Sequence, residues 1–111
     1  MLGPFSLAEH GPRHHLTPEA RDQLGAIYDY IAAAASPETA RQFTDGILDH
    51  IAKLIDFPLR GTPREDLRPG LRTIAWKRPV VIAFMVDEAA VVVTGIFYGG
   101  RDFETILGND P

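Results

Sequence analysis

Two stretches in the first half of the chain carry apolar residues along one helical face. The first begins at Thr17-Pro18, a typical helix start, and its apolar stripe consists of Ala20, Leu24, Ile27, Tyr28 and Ile31. Ser36-Pro37 repeats the start signal, and a second stripe follows with Ala40, Phe43, Ile47, Ile51, Leu54 and Ile55. Helical spacing of this kind predicts helices over about residues 18–34 and 37–56. The short link between them predicts an antiparallel hairpin.

The second half of the chain has the pattern of β-strands. Leu71 to Trp76 and the valine-rich run from Ala90 to Tyr98 are predicted strands, and Val80 to Val86 is uninterrupted apolar sequence. Such a run is typical of a strand covered on both faces. Short links predict that these strands form an antiparallel meander, and Arg13 to Leu16 is a candidate edge strand.

This order predicts an α+β fold, β-α-α-β-β-β, in which an antiparallel helical hairpin packs on a small twisted antiparallel sheet. The run from Val80 to Val86 is expected in the central strand. Residues 13–111 form a single predicted domain, and residues 1–12 are expected to be a loose leader.

Glycine and proline mark the remaining segments. Residues 58–70 hold three prolines and two glycines and are predicted to be a linker. Gly46 lies inside the second predicted helix, where a close approach to the first helix would explain a residue that costs about 1 kcal/mol relative to alanine. Asp102 to Leu107 is predicted to be a last short helix with Asp102 as its N-cap.

Composition excludes several classes of function. The 111 residues include 45% apolar and 23% charged positions and no cysteine, which is ordinary for a globular domain and rules out disulfides, thiolate nucleophiles and cysteine–zinc sites. The longest apolar run is too short to cross a bilayer, and the N-terminus lacks the apolar core of a signal peptide. We therefore expect a cytoplasmic protein that does not bind membranes.

The charge is unevenly distributed. The net charge is −4, but residues 60–78 hold six basic and two acidic side chains. Four arginines recur there at every fourth position, namely Arg60, Arg64, Arg68 and Arg72, and Pro63 and Pro69 argue against a single helix. The segment is either a solvated loop or a surface that binds an anionic partner. Direct binding of nucleic acid is not expected of an acidic chain.

The histidines and the glycine pair near the C-terminus do not predict a ligand site. The four histidines, His10, His14, His15 and His50, lack the spacing of metal ligands on any predicted element. Gly99-Gly100 lacks the context of a phosphate loop and is expected to reverse the chain. We predict no metal and no cofactor. Most aromatic residues are expected in the core, namely Tyr28, Phe43, Trp76, Phe84 and Phe97, although Trp76 beside Lys77-Arg78 is also a candidate interface residue.

Several short motifs resemble the RelE/ParE toxin superfamily. In chain order they are Leu16-Thr17-Pro18-Glu19-Ala20, Tyr28-x-Tyr30-Ile31, Pro37-Glu38-x-Ala40, Phe57-Pro58-x-x-Gly61, Leu67-Arg68-x-Gly70-Leu71-Arg72 and Gly99-Gly100-Arg101-Asp102. The resemblance extends over about residues 14–107, and the last three motifs favour the ParE-like branch. The chain departs from the family in its longer leader and in Tyr98, where the family often has histidine.

The resemblance implies a toxin of a type II toxin–antitoxin system, of the kind linked to plasmid stabilisation. ParE-type members are thought to inhibit DNA gyrase by protein–protein binding, and a ParD-like antitoxin with an acidic C-terminal segment neutralises them. Carried onto this chain, the antitoxin-binding residues are expected to be Arg60, Arg64, Arg68, Arg72 and Trp76. The expected target-binding residues are Tyr98, Arg101 and Asp102, and no catalytic residue is assigned.

Two alternatives stay open. A ribosome-dependent mRNA endonuclease of RelE type would need a basic residue on the central strand and a tyrosine in the tail, where this chain has Val80 and Leu107. Tyr98 and Arg101 would then be the minimal pair for moving a proton and stabilising the phosphate. The other alternative is an inactive toxin-like binding partner or transcriptional co-repressor.

Overall fold

The computed structural model describes residues 14–77, 79–87 and 90–99. Within these residues, two helices and five strands follow one another. They are β1 (His14–Leu16), α1 (Pro18–Ala34), α2 (Pro37–Lys53), β2 (Thr62–Pro63), β3 (Leu71–Trp76), β4 (Val80–Asp87) and β5 (Ala90–Tyr98). The predicted leader at residues 1–12 and the predicted short helix at Asp102 to Leu107 lie outside the described residues.

Side-chain caps determine where the two helices begin. Thr17 Oγ1 accepts a hydrogen bond from the Ala20 N–H at 3.2 Å, and Ser36 Oγ accepts one from the Thr39 N–H at 3.0 Å. Each cap satisfies a backbone donor that lacks a partner within its helix, and a proline follows each cap. Both predicted starts are confirmed. The second helix ends at Lys53, slightly before the predicted end near residue 56.

The five strands form one sheet in the order β1-β5-β4-β3-β2, with β4 in the middle. The predicted meander of β3, β4 and β5 is confirmed as antiparallel. The predicted α+β fold is confirmed, but its sheet is mixed and not antiparallel throughout, because β1 pairs with β5 in parallel. Whether β1 runs parallel or antiparallel to β5 depends on the path that the chain takes through the hairpin and the meander between them. The residue pattern within either strand carries no information about that path.

A short strand occurs inside the predicted linker. Thr62 and Pro63 pair antiparallel with Thr73 and Arg72 of β3. A proline fits here because β2 lies at the edge of the sheet, where a missing N–H breaks no central ladder.

The central strand is covered on both faces, as predicted. Ile82 and Phe84 are fully buried in the core between the sheet and the helices, together with Ile47 and Ile51 of α2. Ala83, between them, is fully buried on the opposite face, in a smaller cluster that contains Leu71, Phe97 and Leu67. Three consecutive buried residues in one strand require material on both sides of the sheet.

A β-bulge interrupts the pairing of β4 with β5. Ala83 is paired with Gly95, but the next residue, Phe84, is paired with Val93, so Thr94 is an extra residue in β5. A bulge shifts the alternation of the strand by one residue.

The bulge decides which side chains of β5 face the helices. Val91 and Val93 pack in the helix-side core before the bulge, and Ile96 and Tyr98 pack there after it. Strict alternation from Val93 would have placed Ile96 and Tyr98 on the opposite face. Gln23 of α1 stabilises the shifted strand, since its Oε1 accepts a hydrogen bond from the Ile96 N–H at 2.8 Å.

We expect Gln23→Leu to lower the free energy of unfolding by about 1–3 kcal/mol, because it leaves a partly buried N–H without an acceptor. Gln23→Glu retains an acceptor oxygen and should cost less. Urea unfolding of the three proteins measures the difference. Equal losses in both variants would contradict this role of the hydrogen bond.

Candidate functional site

The residues predicted to bind an antitoxin lie near the two ends of strand β3. Arg72 is near its start and Trp76 at its end, and four residues of extended chain separate the two by about 13 Å. Arg60 is held beside Arg72, whereas Trp76 lies in a group that includes Tyr98. The set predicted to bind an antitoxin is therefore divided between two places. Arg101 and Asp102 lie outside the described residues.

Four aromatic side chains form what we call the aromatic cluster: Tyr30, Phe43, Trp76 and Tyr98. The ring of Phe43 lies edge-on to Trp76 at 5.2 Å and to Tyr98 at 5.8 Å between centroids, and Tyr30 lies 5.8 Å from Tyr98. These are favourable geometries for aromatic pairs. Trp76 and Tyr98 share a row across the sheet, because both pair with Val80. Tyr30 is 62% exposed, so the cluster reaches the surface.

Two shallow cavities flank the aromatic cluster. One, of about 180 Å³, lies between Tyr30 and Tyr98. The other, of about 230 Å³, lies between Phe43 and Trp76. Lys77 lines the second cavity and places its Nζ 5.0 Å from the centroid of the Trp76 ring, within the range of a cation–π contact. The cluster therefore offers aromatic surface and a cation side by side.

Gly46 is explained by the aromatic cluster. A Cβ at this position would lie 2.7 Å from Cζ2 of Trp76. The predicted reason for the glycine, a close approach to the first helix, is wrong, because the nearest atoms belong to the indole of β3. The sequence predicts that Gly46 lies within helix α2, but the tertiary fold decides which element packs against it.

The regular spacing of the four arginines does not produce one row of charge. Arg64 donates two hydrogen bonds to the Asp66 carboxylate, at 3.0 and 2.8 Å, and this pairing lowers the pKa of Asp66. Arg68 is half-buried in the turn before β3, where its backbone N–H donates to the Arg64 carbonyl at 3.2 Å.

Arg72 fixes the loop of residues 57–60. Its Nε donates to the Arg60 carbonyl at 3.0 Å, and its terminal nitrogen donates to the Leu59 carbonyl. The Arg60 guanidinium lies 5.1 Å from the centroid of the Phe57 ring. Phe57 is 60% exposed and Leu59 is 71% exposed. The 57–60 loop therefore presents two apolar side chains and a cation from a fixed backbone.

His50, in the last turn of α2, lies close to this loop. Its Nε2 is buried without a hydrogen-bond partner. Burial lowers the pKa of His50 below its ordinary value of 6.5, and the positive charges of Arg60 and Lys53 lower it further.

The other histidines of the described residues do not form a metal site. His14 is half-buried and His15 is exposed in β1. Within residues 14–77, 79–87 and 90–99, no group of three or more histidine or carboxylate side chains could hold a metal ion. Neither of the two described helices is long and apolar enough to cross a membrane.

Comparison with known proteins identifies the family. A family model described as ParE toxin of type II toxin-antitoxin system, parDE, matches residues 15–103. The chain belongs to the ParE toxin family. This ParE-type toxin is also similar to a solved structure titled "Chromosomal ParDE TA system from P. aeruginosa", with 27% identity and a TM-score of 0.68. The match covers 80% of this chain and 97% of the other. No curated protein matches this ParE toxin.

The predicted resemblance is thus confirmed, and the fold of this ParE toxin adds residues that sequence reasoning did not select. Tyr30 and Phe43 join Trp76 and Tyr98 at the surface, and Phe57 and Leu59 are exposed. Phe57 and Leu59 flank Pro58 outside any predicted helix or strand, and Phe57 also opens the motif Phe57-Pro58-x-x-Gly61, but neither residue was assigned a binding role. Of the aromatic residues predicted for the core, Phe84 and Phe97 are buried, and Tyr28, Phe43 and Trp76 are half-buried against it.

We expect Gly46→Ala to destabilise this ParE toxin, because the added methyl group overlaps Trp76 and overpacking costs about 1–3 kcal/mol. Gly25→Ala is the matched control, since nothing outside its own helix lies within 4 Å of that Cβ. Alanine there should stabilise α1 by up to about 1 kcal/mol. Thermal unfolding and Trp76 fluorescence report the two effects. A stabilised Gly46→Ala protein would refute the close contact.

The free energy of unfolding should fall as the pH is lowered from 7 through the ordinary histidine pKa of 6.5. The unfolded chain takes up a proton on His50 in this range before the folded chain does. The decrease should level off once the pH is below the lowered pKa of the folded state. Urea titrations at several pH values, for wild type and His50→Gln, measure it. An unchanged slope in His50→Gln would contradict the assignment.

Proposed function

We propose that this ParE-type toxin inhibits DNA gyrase by protein–protein binding and that a ParD-like antitoxin neutralises it in the cytoplasm. The observation that carries the proposal is the match to the ParE toxin family over most of the chain. Two surfaces at opposite ends of β3 offer places for the two partners, and each has a different chemistry.

The start of β3, where Arg72 and the 57–60 loop lie, is the basic end of the strand, and it suits an acidic antitoxin segment. Arg60, Arg64, Arg68 and Arg72 lie within residues 60–78, which hold six basic and two acidic side chains in a chain with charge −4. Such a patch accelerates the encounter with an opposite charge. Arg64 and Arg72 already have partners within the fold, because Arg64 pairs with Asp66 and Arg72 donates hydrogen bonds to backbone carbonyl groups. A disordered acidic segment that folds on binding would be attracted by the net positive charge of residues 60–78.

The other end of β3, where Trp76 joins the aromatic cluster, suits a protein target. Tyr98 is the last residue of β5, and the chain continues from there to the predicted target-binding residues Arg101 and Asp102. Tyrosine, tryptophan and arginine are the residues that most often dominate the energy of protein interfaces. Trp76 was expected to bind the antitoxin, but we group it with the target surface because it packs beside Phe43 in the aromatic cluster.

The chemistry of an mRNA endonuclease has less support. Val80 stands where the RelE-type resemblance expects a basic residue on the central strand, and it is 1% exposed. A buried valine neither carries charge nor transfers a proton. Catalytic residues are not part of the proposal, and inhibition would rest on binding alone.

A supercoiling assay with purified gyrase tests the proposal. We expect the wild-type chain to inhibit supercoiling, and Arg101→Ala to need about tenfold more protein, the effect of losing about 1.4 kcal/mol of binding. Arg60→Ala is the matched control at the basic end and should inhibit like wild type. Circular dichroism checks that both variants fold.

Three outcomes would contradict the gyrase proposal. If the wild-type chain leaves supercoiling unchanged, gyrase is not its target. If ribosome-associated mRNA is cut at codon positions and Arg101→Ala abolishes the cuts, the RelE-type activity replaces gyrase inhibition. If expression without antitoxin is harmless and the chain only strengthens repression by its antitoxin, the chain is a co-repressor.

A further inference from the structure

We propose that the 57–60 loop is a preformed docking site for an amphipathic acidic segment, with Phe57 and Leu59 contacting its apolar side and Arg60 pairing with a carboxylate. Arg72 is a positioning residue that holds the loop and does not itself contact the segment. The inference rests on the proposed function in one respect, since it takes the ParD-like antitoxin as the source of the segment.

The loop exposes apolar surface that the fold does not cover. Phe57, Leu59 and Tyr30 are the large apolar side chains that are most exposed in the described part of the chain. Two of them lie in this loop on either side of Pro58. Isolated exposed apolar residues are common on protein surfaces, so exposure alone does not define a site.

The second observation is that the backbone of the loop is fixed. Arg72 donates to the carbonyls of Leu59 and Arg60, and the Arg60 N–H donates to the Phe57 carbonyl at 3.1 Å. Gly61 has φ +79°, and a Cβ there would lie 2.4 Å from the Thr73 carbonyl oxygen. The loop therefore runs directly against β3. A surface that is already ordered loses little conformational entropy on binding.

The third observation is charge. The structure pairs Arg64 with Asp66, but no carboxylate of the described residues pairs with Arg60, whose guanidinium rests on the Phe57 ring. Lys53 and Arg60 are both close enough to His50 to lower its pKa. Two cations therefore lie near the place where the end of α2 meets the 57–60 loop. A carboxylate approaching Arg60 therefore meets a guanidinium that no described carboxylate already pairs with, and the cation of Lys53 lies close to the same histidine.

These observations select the chemistry of the partner. Phe57 and Leu59 favour a segment with an apolar face, and Arg60 and Lys53 favour one with carboxylates beside that face. An amphipathic acidic segment has both properties. A second copy of this chain is the competing occupant, because its residues 17–59 hold seven acidic and three basic side chains.

The test measures binding of the ParD-like antitoxin of the proposed function, purified and labelled, by fluorescence anisotropy at low and high salt. Leu59→Gln and Arg60→Gln should each raise Kd about tenfold, a change of about 1.4 kcal/mol. Arg60→Gln should also reduce the salt dependence, because an ion pair is lost. The matched controls are Ala33→Gln, at an exposed apolar residue of α1, and Arg41→Gln, at an exposed arginine of α2. Both should bind within about twofold of wild type.

Arg72→Lys separates positioning from direct contact. Lysine keeps the charge but lacks the planar fork of donors that holds two carbonyls. If Arg72 positions the loop, Arg72→Lys binds more weakly than wild type and keeps the wild-type salt dependence. If the charge of Arg72 contacts the partner, Arg72→Lys binds like wild type, and this part of the proposal is wrong.

The remaining outcomes are distinguishable. If wild type binds the antitoxin and both loop variants bind equally well, the docking site is wrong and the proposed function stands. If wild type does not bind the antitoxin, the proposed function fails and the docking site fails with it. If light scattering shows a dimer that Leu59→Gln dissociates, the loop binds a second copy of the chain, which also overturns the proposal.

Discussion

The two-sided burial of strand β4 is the constraint on which the rest of the structure depends. Ile82 and Phe84 pack against the helical hairpin, and Ala83 packs on the opposite face. A strand of this kind can lie only in the middle of a sheet, with material above and below it. Because β3 and β5 occupy its two sides and the hairpin covers one face, β4 itself is closed to partners, and the aromatic cluster and the 57–60 loop lie away from it at the two ends of β3.

The β-bulge in β5 connects this core to one of those surfaces. One extra residue, Thr94, moves Ile96 and Tyr98 onto the helix side, and Tyr98 thereby meets Phe43 and Tyr30. The bulge leaves the Ile96 N–H to be satisfied by Gln23 of α1. A single side chain of the first helix therefore helps to set the position of an aromatic residue at the end of the last described strand.

The two ends of β3 have different physical character. The aromatic cluster is held by ring–ring contacts and by the fit of Trp76 against Gly46, and it has shallow cavities on both sides. The 57–60 loop is held by hydrogen bonds from Arg72 and carries apolar residues next to a cation. A toxin that binds both an inhibitor and a target would benefit from this separation, because each surface can then be tuned to its partner without altering the other.

Much of the fold was determined by the sequence alone, because its signals are local. Thr17-Pro18 and Ser36-Pro37 cap the helices through bonds to residues three positions away, and the run from Val80 to Val86 marks the buried strand. The motif series from Leu16 to Asp102 also sufficed to predict the family.

Tertiary structure alone decided the features that depend on residues far apart in the chain. These features are the parallel pairing of β1 with β5, the bulge at Thr94, and the contact of Gly46 with Trp76. The arginines show the difference most clearly. Their regular spacing was visible in the sequence, but it did not reveal that Arg72 binds the backbone of the 57–60 loop while Arg60 lies against Phe57. Which donor meets which acceptor is settled only when distant segments pack together.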